Sequence, residues 1–341
     1  MRPPGFRCVL AAAALFVLAA APAWGQSKTG TALGAFLLIE PSARIAGMGN
    51  AGATMYDDGI DAAYYNPAAI GQVKQMSLEF SHSLWLADIR FDYAALAIPL
   101  GHWGNSFVSV TALNSGDIAV RTVAQPLGTG GTFSVNDMAI GLGYGRQITE
   151  RFAVGGQLSW VQETIWHTSM GAPVFNVGTL YRISAQGLHI GSSISNFGTH
   201  GQYTGSDLRI LFDADPSRNG DNEALPADQF TGSFPLPVLF RVGVGYPLRL
   251  GNRDRLRLAL DAFHPSGNAE SVSAGAELML RDALALRAGY QNAFMRDSEL
   301  GLTFGAGFAG RLDTYRYHLD YAWADQGRLG DTHRMTFGVE F

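Results

Sequence analysis

The chain is 341 residues long and only 16% of them are charged, against about 25% in an average protein. Its 29 Asp and Glu outnumber its 24 Lys and Arg, for a net charge of −5, which excludes the basic footprint of a nucleic-acid-binding protein. A single cysteine, Cys8, excludes a disulfide scaffold.

In chain order, Arg2 and Arg7 precede an apolar run from Cys8 to Ala20, followed by Ala21-Pro22-Ala23-Trp24-Gly25. This pattern predicts a secretory signal, residues 1–25, cleaved after Ala23 or Gly25. Cys8 would leave with it, so thiol chemistry is not expected of the mature chain. No later run is long and apolar enough to span a membrane as a helix; Leu33 to Ile39 is the best of them.

Residues 26–75 do not alternate. They are rich in Gly, Ala and Asn, and are expected to form a compact, irregular or short-helical plug folded against or inside the rest. From about residue 76, apolar and polar residues alternate with period two, which sets one face of each strand against the other. Fourteen strands are predicted, at 76–86, 89–99, 105–114, 134–147, 151–164, 173–184, 187–197, 237–247, 254–264, 270–280, 283–292, 301–310, 313–324 and 333–341. In the thirteenth, Tyr315, Tyr317, Leu319, Tyr321 and Trp323 share one face, and Arg316, His318 and Asp320 the other. In the last, Met335, Phe337, Val339 and Phe341 alternate with Arg334, Thr336, Gly338 and Glu340.

Alternation alone fits a soluble sandwich as well as a membrane barrel. The connections separate the two. Short turns at 149–150, 185–186, 251–252, 281–282 and 311–312 alternate with longer loops at 115–133, 165–172, 198–236, 265–269, 293–300 and 325–332. Outer-membrane barrels have short periplasmic turns and long external loops in this way, and even strand numbers. The reading is therefore all-β: a transmembrane antiparallel barrel of about 14 strands over residues 76–341, with an N-terminal plug in its lumen and a long external loop at 198–236. It belongs in the outer membrane of a diderm (Gram-negative) bacterium, in contact with its lipid. Many glycines fall on the inner face, among them Gly141, Gly143, Gly243, Gly245, Gly289, Gly305 and Gly307. They leave room for a plug, or they relieve strain in a curved sheet.

A chain that ends on an aromatic in such a strand resembles the closing strand of outer-membrane barrels. That resemblance gives Phe337, Val339 and Phe341 the role of an assembly signal. The stretch Phe36-Leu37-Leu38-Ile39-x-Pro41-x-Ala43-Arg44-x-x-Gly47-Met48-Gly49-x-Ala51-Gly52, with Asp57-Asp58 and Tyr65-Asn66-Pro67-Ala68 after it, resembles the start of the PorV/PorQ family. The Asn-Pro-Ala element is also similar to that of the wider FadL group. The resemblance implies a FadL-like fourteen-strand barrel acting in type IX secretion. Its partners would be the translocon, cargo C-terminal domains or a surface sortase partner, met at the external rim by a monomeric, non-enzymatic barrel. The alternative is a FadL-like transporter of hydrophobic small molecules such as long-chain fatty acids. That needs an apolar lumenal pocket and a lateral gap.

The candidate site residues follow from this frame. In the plug these are Arg44, Gly47, Met48, Gly49, Asp57, Asp58, Asn66 and Pro67. Arg44 is a candidate to anchor the plug to an inward acid such as Glu79, Glu277 or Asp320, or else it is a solvated charge. Asp57-Asp58 cap a turn or pair with an inward arginine. Asn66-Pro67 reads as the turn that ends the plug. Inward charges are expected at Glu79, Arg241, Arg255, Glu277, Arg287, Arg316, His318 and Asp320. Asp213, Asp215, Asn219 and Asp221 resemble a calcium loop, but the spacing misses the EF-hand pattern, and a solvated acidic loop is the rival reading. His82, His189 and His318 lack ligand spacing, so neither a metal nor another cofactor is assigned. No nucleophile elbow, phosphate loop or dinucleotide fingerprint is present.

Overall fold

The computed structural model describes residues 32–55, 59–184, 187–215, 217, 224–295 and 298–341. The expected signal at 1–25, and Asp57, Asp58, Asn219 and Asp221, lie outside the described residues.

Fourteen long strands follow in sequence: β1 (Ser77–Leu84), β2 (Arg90–Pro99), β3 (Asn105–Asn114), β4 (Val135–Thr149), β5 (Phe152–Ile165), β6 (Thr168–Arg182), β7 (His189–Gly198), β8 (Leu239–Arg249), β9 (Arg255–Pro265), β10 (Ser271–Leu280), β11 (Leu284–Ala293), β12 (Leu302–Leu312), β13 (Tyr315–Asp325) and β14 (Asp331–Glu340). Each pairs antiparallel with the next, and β14 pairs back onto β1 with Ser77 opposite Glu340. The sheet is therefore a closed 14-strand barrel without edges, the form that satisfies every ladder group in a bilayer. No helix among the described residues is long and apolar enough to cross a membrane.

The two-residue period decides what faces where. On β14, Thr332, Arg334 and Thr336 are buried inward, while Met335 and Phe337 are exposed outward, with Val339 in the same set. On β13, Leu319 and Tyr321 are exposed outward, and Asp320, Ala322 and Ala324 are buried inward. An exposed apolar band around a closed barrel is a lipid-facing surface.

Short turns lie at the end shared by Ser77 and Glu340, and long loops at the other. One expected loop is absent. Residues 165–172 were predicted as a connection, but β5 and β6 run to Ile165 and Thr168 and are joined by the two-residue turn Trp166-His167. In this stretch the polarity is inverted: Thr168, Met170 and Ala172 are buried inward and the outer face holds Ser169, Gly171 and Pro173. The wall here rises toward the long-loop end with an apolar interior and a polar exterior, so the alternation reads as a loop.

The segment after β7 folds back over the long-loop mouth. Gly201–Gln202 pairs with Ser233–Phe234, and Arg209–Phe212 pairs with Leu225–Asp228. Asp213 and Asp215 sit at the tip of that hairpin in side-chain-capped turns: Asp215 N–H donates to Asp213 Oδ1 (3.0 Å), and Ser217 N–H to Asp215 Oδ1 (3.2 Å). Among the described residues no three His, Cys, Asp or Glu converge as metal ligands.

Candidate functional site

The described residues between Leu33 and Val73 form four short helical turns, Ala35–Leu38, Ala43–Ala46, Gly59–Ala62 and Pro67–Gln72. Almost all of their side chains are buried, including Leu33, Phe36, Ile45, Met48, Met55, Tyr65 and Ile70. Helices this short are not stable alone; these are held by what surrounds them, the inward-facing wall.

The first kind of hold is close backbone approach. A Cβ on Gly275 would collide with Met48 O, one on Gly289 with Gly49 N, one on Gly191 with Ala53 O, and one on Gly155 with Pro67 O. Gly47 meets Gly305 in the same way, with a built Cβ 3.0 Å from the Gly305 Cα. Of the inner-face glycines named from sequence, Gly243, Gly245, Gly289 and Gly305 make room for the N-terminal segment, whereas Gly141, Gly143 and Gly307 make room for wall side chains, those of Gln157, Phe107 and Asp320.

The second kind is polar. Ala43 N–H donates to Thr336 Oγ1 (2.8 Å), Gly49 N–H to Thr303 Oγ1 (3.0 Å), and Ala53 N–H to Asp261 Oδ2 (2.8 Å). Asn66 caps the Pro67–Gln72 turn by accepting from Ala68 N–H (3.1 Å), and its amide donates to Ala53 O (2.9 Å) and Thr179 O (3.0 Å). Asn66-Pro67 thus starts the segment's last turn, and the segment ends only at about Val73.

Arg44 carries the third. It grips Glu277 bidentately, Nε to Oε2 at 2.8 Å and Nη2 to Oε1 at 2.7 Å, and lies 3.5 Å from Asp61. Glu277 also accepts from Arg287 (2.7 Å), Arg287 donates to Asp320 (2.6 Å), and Asp320 accepts from His318 Nδ1 (2.8 Å). His318 Nε2 closes on Asp61 at 3.5 Å. Six charged groups from the segment and three strands thus make one buried chain. Burial alone would raise the Asp61 carboxyl, but His318, Glu79 and Arg44 together hold it below the usual carboxylate range.

Of the inward charges expected from sequence, Glu277, Arg287, His318 and Asp320 meet here. Glu79 is fully buried beside Ser81, and is not the Arg44 partner described above. Arg241 is buried at the other end. Arg255 and Arg316 do not belong to the interior: they stand at the short-turn rim, 59% and 63% exposed, paired with Asp282 (2.7 Å) and Glu340 (3.7 Å). Asp61, Glu40, Asp261, Thr303 and Thr336 were not singled out by sequence. Only Asp61 carried a signal, as an acid inside the apolar stretch Ile60-Asp61-Ala62-Ala63.

Toward the long loops the interior turns apolar. Leu33, Phe36, Leu37, Phe91, Val161, Met170, Val174 and Leu236 form one cluster, with Tyr203 and Phe234 against it. Leu33 N–H donates to Pro235 O (2.8 Å), so the loop over this mouth is tied to the segment beneath. At its margin Arg241 pairs with Glu40 and lies over the rings of Tyr65 (5.1 Å) and Phe263 (4.9 Å). Burial pushes the Glu40 carboxyl above its usual range, against the pull of Arg241 and Arg334.

The ladders of β3 run to both neighbours without a shift. The β10–β11 ladder breaks between Val272 and Ala274. Beside that break the wall holds an apolar cavity of about 340 Å³, lined by Phe240, Val242, Phe263, Val272, Ala293 and Phe294 among others. Phe263 is the buried, inward member, so its ring separates the cavity from Arg241.

No protein-family model matches the sequence, and no curated protein does. Among solved structures the chain is similar to the CymD monoaromatic hydrocarbon channel, at 12% identity and a TM-score of 0.54 over 89% of this chain and 98% of that one. It is equally similar to the Pseudomonas putida toluene transporter TodX, at 13% identity and a TM-score of 0.54 over 92% and 98%. The Ralstonia pickettii toluene transporter TbuX gives 10% identity and a TM-score of 0.50 over 88% and 97%. The chain has the fold of the FadL-like outer-membrane barrels of Gram-negative bacteria. The likeness bears on that fold and not on PorV/PorQ membership. Within a FadL-like barrel, the glycine spaces, the charged chain and the apolar upper cluster become features of one lumen.

Proposed function

We propose that this FadL-like barrel takes up small hydrophobic molecules, with its N-terminal segment as the plug that keeps the lumen from being an open pore. The carrying observation is the apolar cavity of about 340 Å³ at the β10–β11 break. Its size lies at the lower end of the roughly 300–1,000 Å³ usual for small-molecule sites. Its accessible surface is mainly apolar, although His264, Glu270 and Ser271 also border it, and this favours an uncharged ligand. Phe263 stands where such a ligand would pass from wall to lumen. Hydrocarbon and toluene channels of the same fold support this reading.

Binding of secreted cargo is the second reading. One observation favours it: the loop after β7 exposes Leu211 at 73% and Phe230 at 86%, and exposed apolar groups of this kind mark partner surfaces.

The test is competition between a hydrophobic fluorescent probe and toluene or a long-chain fatty acid on the purified barrel, alongside the Ala293→Trp variant. The expected result is saturable displacement, weakened at least tenfold when the indole fills the cavity. Absence of saturable binding would remove the transport reading. Co-purification of a large translocon barrel or of secreted proteins sharing a C-terminal domain would put cargo binding in its place.

A further inference from the structure

The short-turn mouth opens into a cavity of about 1,010 Å³ whose floor is the underside of the N-terminal segment, at Arg44, Ile60 and Asp61. In a chain with a net charge of −5, this cavity is strongly basic: ten arginines line it against five carboxylates. The deepest carboxylates, Glu277 and Asp320, are engaged by Arg44 and Arg287. The uncompensated charge lies on one arc of the rim, the β8–β9 and β10–β11 turns. There Arg253 (3.6 Å) and Arg255 (2.7 Å) share the carboxylate of Asp282, and Asp254 accepts from the Arg281 backbone N–H (2.9 Å), so the arc's arginines outnumber its two acids. Arg249 and Arg281, which also line the cavity, make no ion pair among the described residues.

The opposite end has the opposite sign. The described residues of the seven connections there include eight Asp or Glu against three Arg. An anion arriving from outside meets that acidic mouth and then the packed segment, whereas one arriving from the periplasm meets a wall on which arginines outnumber carboxylates two to one. Like-charge repulsion at one end and focusing by a concave basic wall at the other set the side of approach. Of the chain's 24 Lys and Arg side chains 22 are arginine, and the cavity is lined by arginine and no lysine. The guanidinium fork suits planar, bidentate recognition of oxyanions, and a phosphoryl group offers oxygens to several forks at once.

We propose that the short-turn mouth is a binding site for a phosphoryl anion presented from the periplasm. The phosphoryl group comes either from an inner-leaflet lipid headgroup or from a soluble phosphate ester. The site is separate from the wall cavity and holds whether or not the barrel carries hydrocarbons.

The experiment is calorimetric titration of the full barrel, purified in a maltoside detergent at low salt, with inorganic pyrophosphate. An Arg249→Gln/Arg281→Gln double variant is run in parallel. Arg249 is the last residue of β8 and Arg281 lies on the β10–β11 turn, and heat-modifiable gel mobility reports that the variant barrel is folded. Saturable binding is expected, weakened at least tenfold in the double variant and falling as salt rises, with succinate at least tenfold weaker. Repeating the titration in phosphatidylglycerol nanodiscs separates the sources. Loss of pyrophosphate binding there assigns the site to the headgroup, and persistence assigns it to a soluble ester. No saturable binding in detergent, equal binding by the double variant, or succinate binding as tight as pyrophosphate would each overturn the proposal.

Discussion

Glu277→Gln is the sharpest perturbation of the lumen. The Glu277 carboxylate accepts three charge-assisted hydrogen bonds, two from Arg44 and one from Arg287. The three side chains are 4%, 13% and 2% exposed, so solvent screens little of the interaction. Removing one partner of a buried pair costs about 3–5 kcal/mol, because the guanidiniums stay buried without their counter-charge. The β10 backbone ladders do not depend on this side chain, so the cost falls on docking of the N-terminal segment. At roughly 1.4 kcal/mol per tenfold, the undocked population should rise by a factor of about a hundred to a few thousand. Trypsin cleavage after Arg44 in the detergent-solubilised barrel reads that population while redocking outpaces cleavage. A Glu277→Leu/Arg44→Met pair, which removes both charges, should recover much of the protection. If Glu277→Gln leaves cleavage at Arg44 within threefold of the parent in a folded barrel, the segment is not held by this charge chain.

Two other outcomes follow from the same lumen. Gly275→Ala drives a methyl group into the Met48 carbonyl, whereas Gly156→Ala makes only ordinary contacts, with Asn176 O at 3.4 Å and Val177 Cγ1 at 3.8 Å. The first should cost about 1–3 kcal/mol or more in overpacking and expose Arg44 to trypsin, and the second should do neither. Asp61 has its folded pKa below its unfolded value. Its stabilisation is therefore complete above the unfolded value of about 4 and is lost as pH falls through the lower folded one. Hydrogen exchange of the Ala46–Gly49 amides, corrected for intrinsic rates, should stay slow at pH 5 and speed up below pH 4. An Asp61→Asn variant should lack that acid step, and an unchanged step in it would assign the titration elsewhere.

The strands were legible because lipid and packed interior impose opposite demands on successive residues; Leu319 and Asp320 state that demand in two letters. Legibility failed where the surroundings reversed it. Thr168 to Pro173 passes the long-loop end, apolar within and polar without, and reads as a loop. Arg44 could be matched to an acid but not to a particular one, since Glu79, Glu277 and Asp320 are all inward. Which of them it meets depends on where four short turns come to rest. Those turns are placed by glycine spaces and threonine hydroxyls that have no sequence period. The wall cavity depends on a ladder shift between Val272 and Ala274, which alternation does not reveal.

The bond from Ala43 N–H to Thr336 Oγ1 joins residues 293 positions apart. The partner threonine lies on β14, the strand that also seals the barrel against β1. The N-terminal segment is thus held by the strand that closes the barrel, and contacts of such separation are slow to form. The glycine-backed contacts leave no clearance for threading the segment into a finished cylinder. Filling and sealing are therefore coupled: the segment inside the barrel and the strand that closes it hold each other in place.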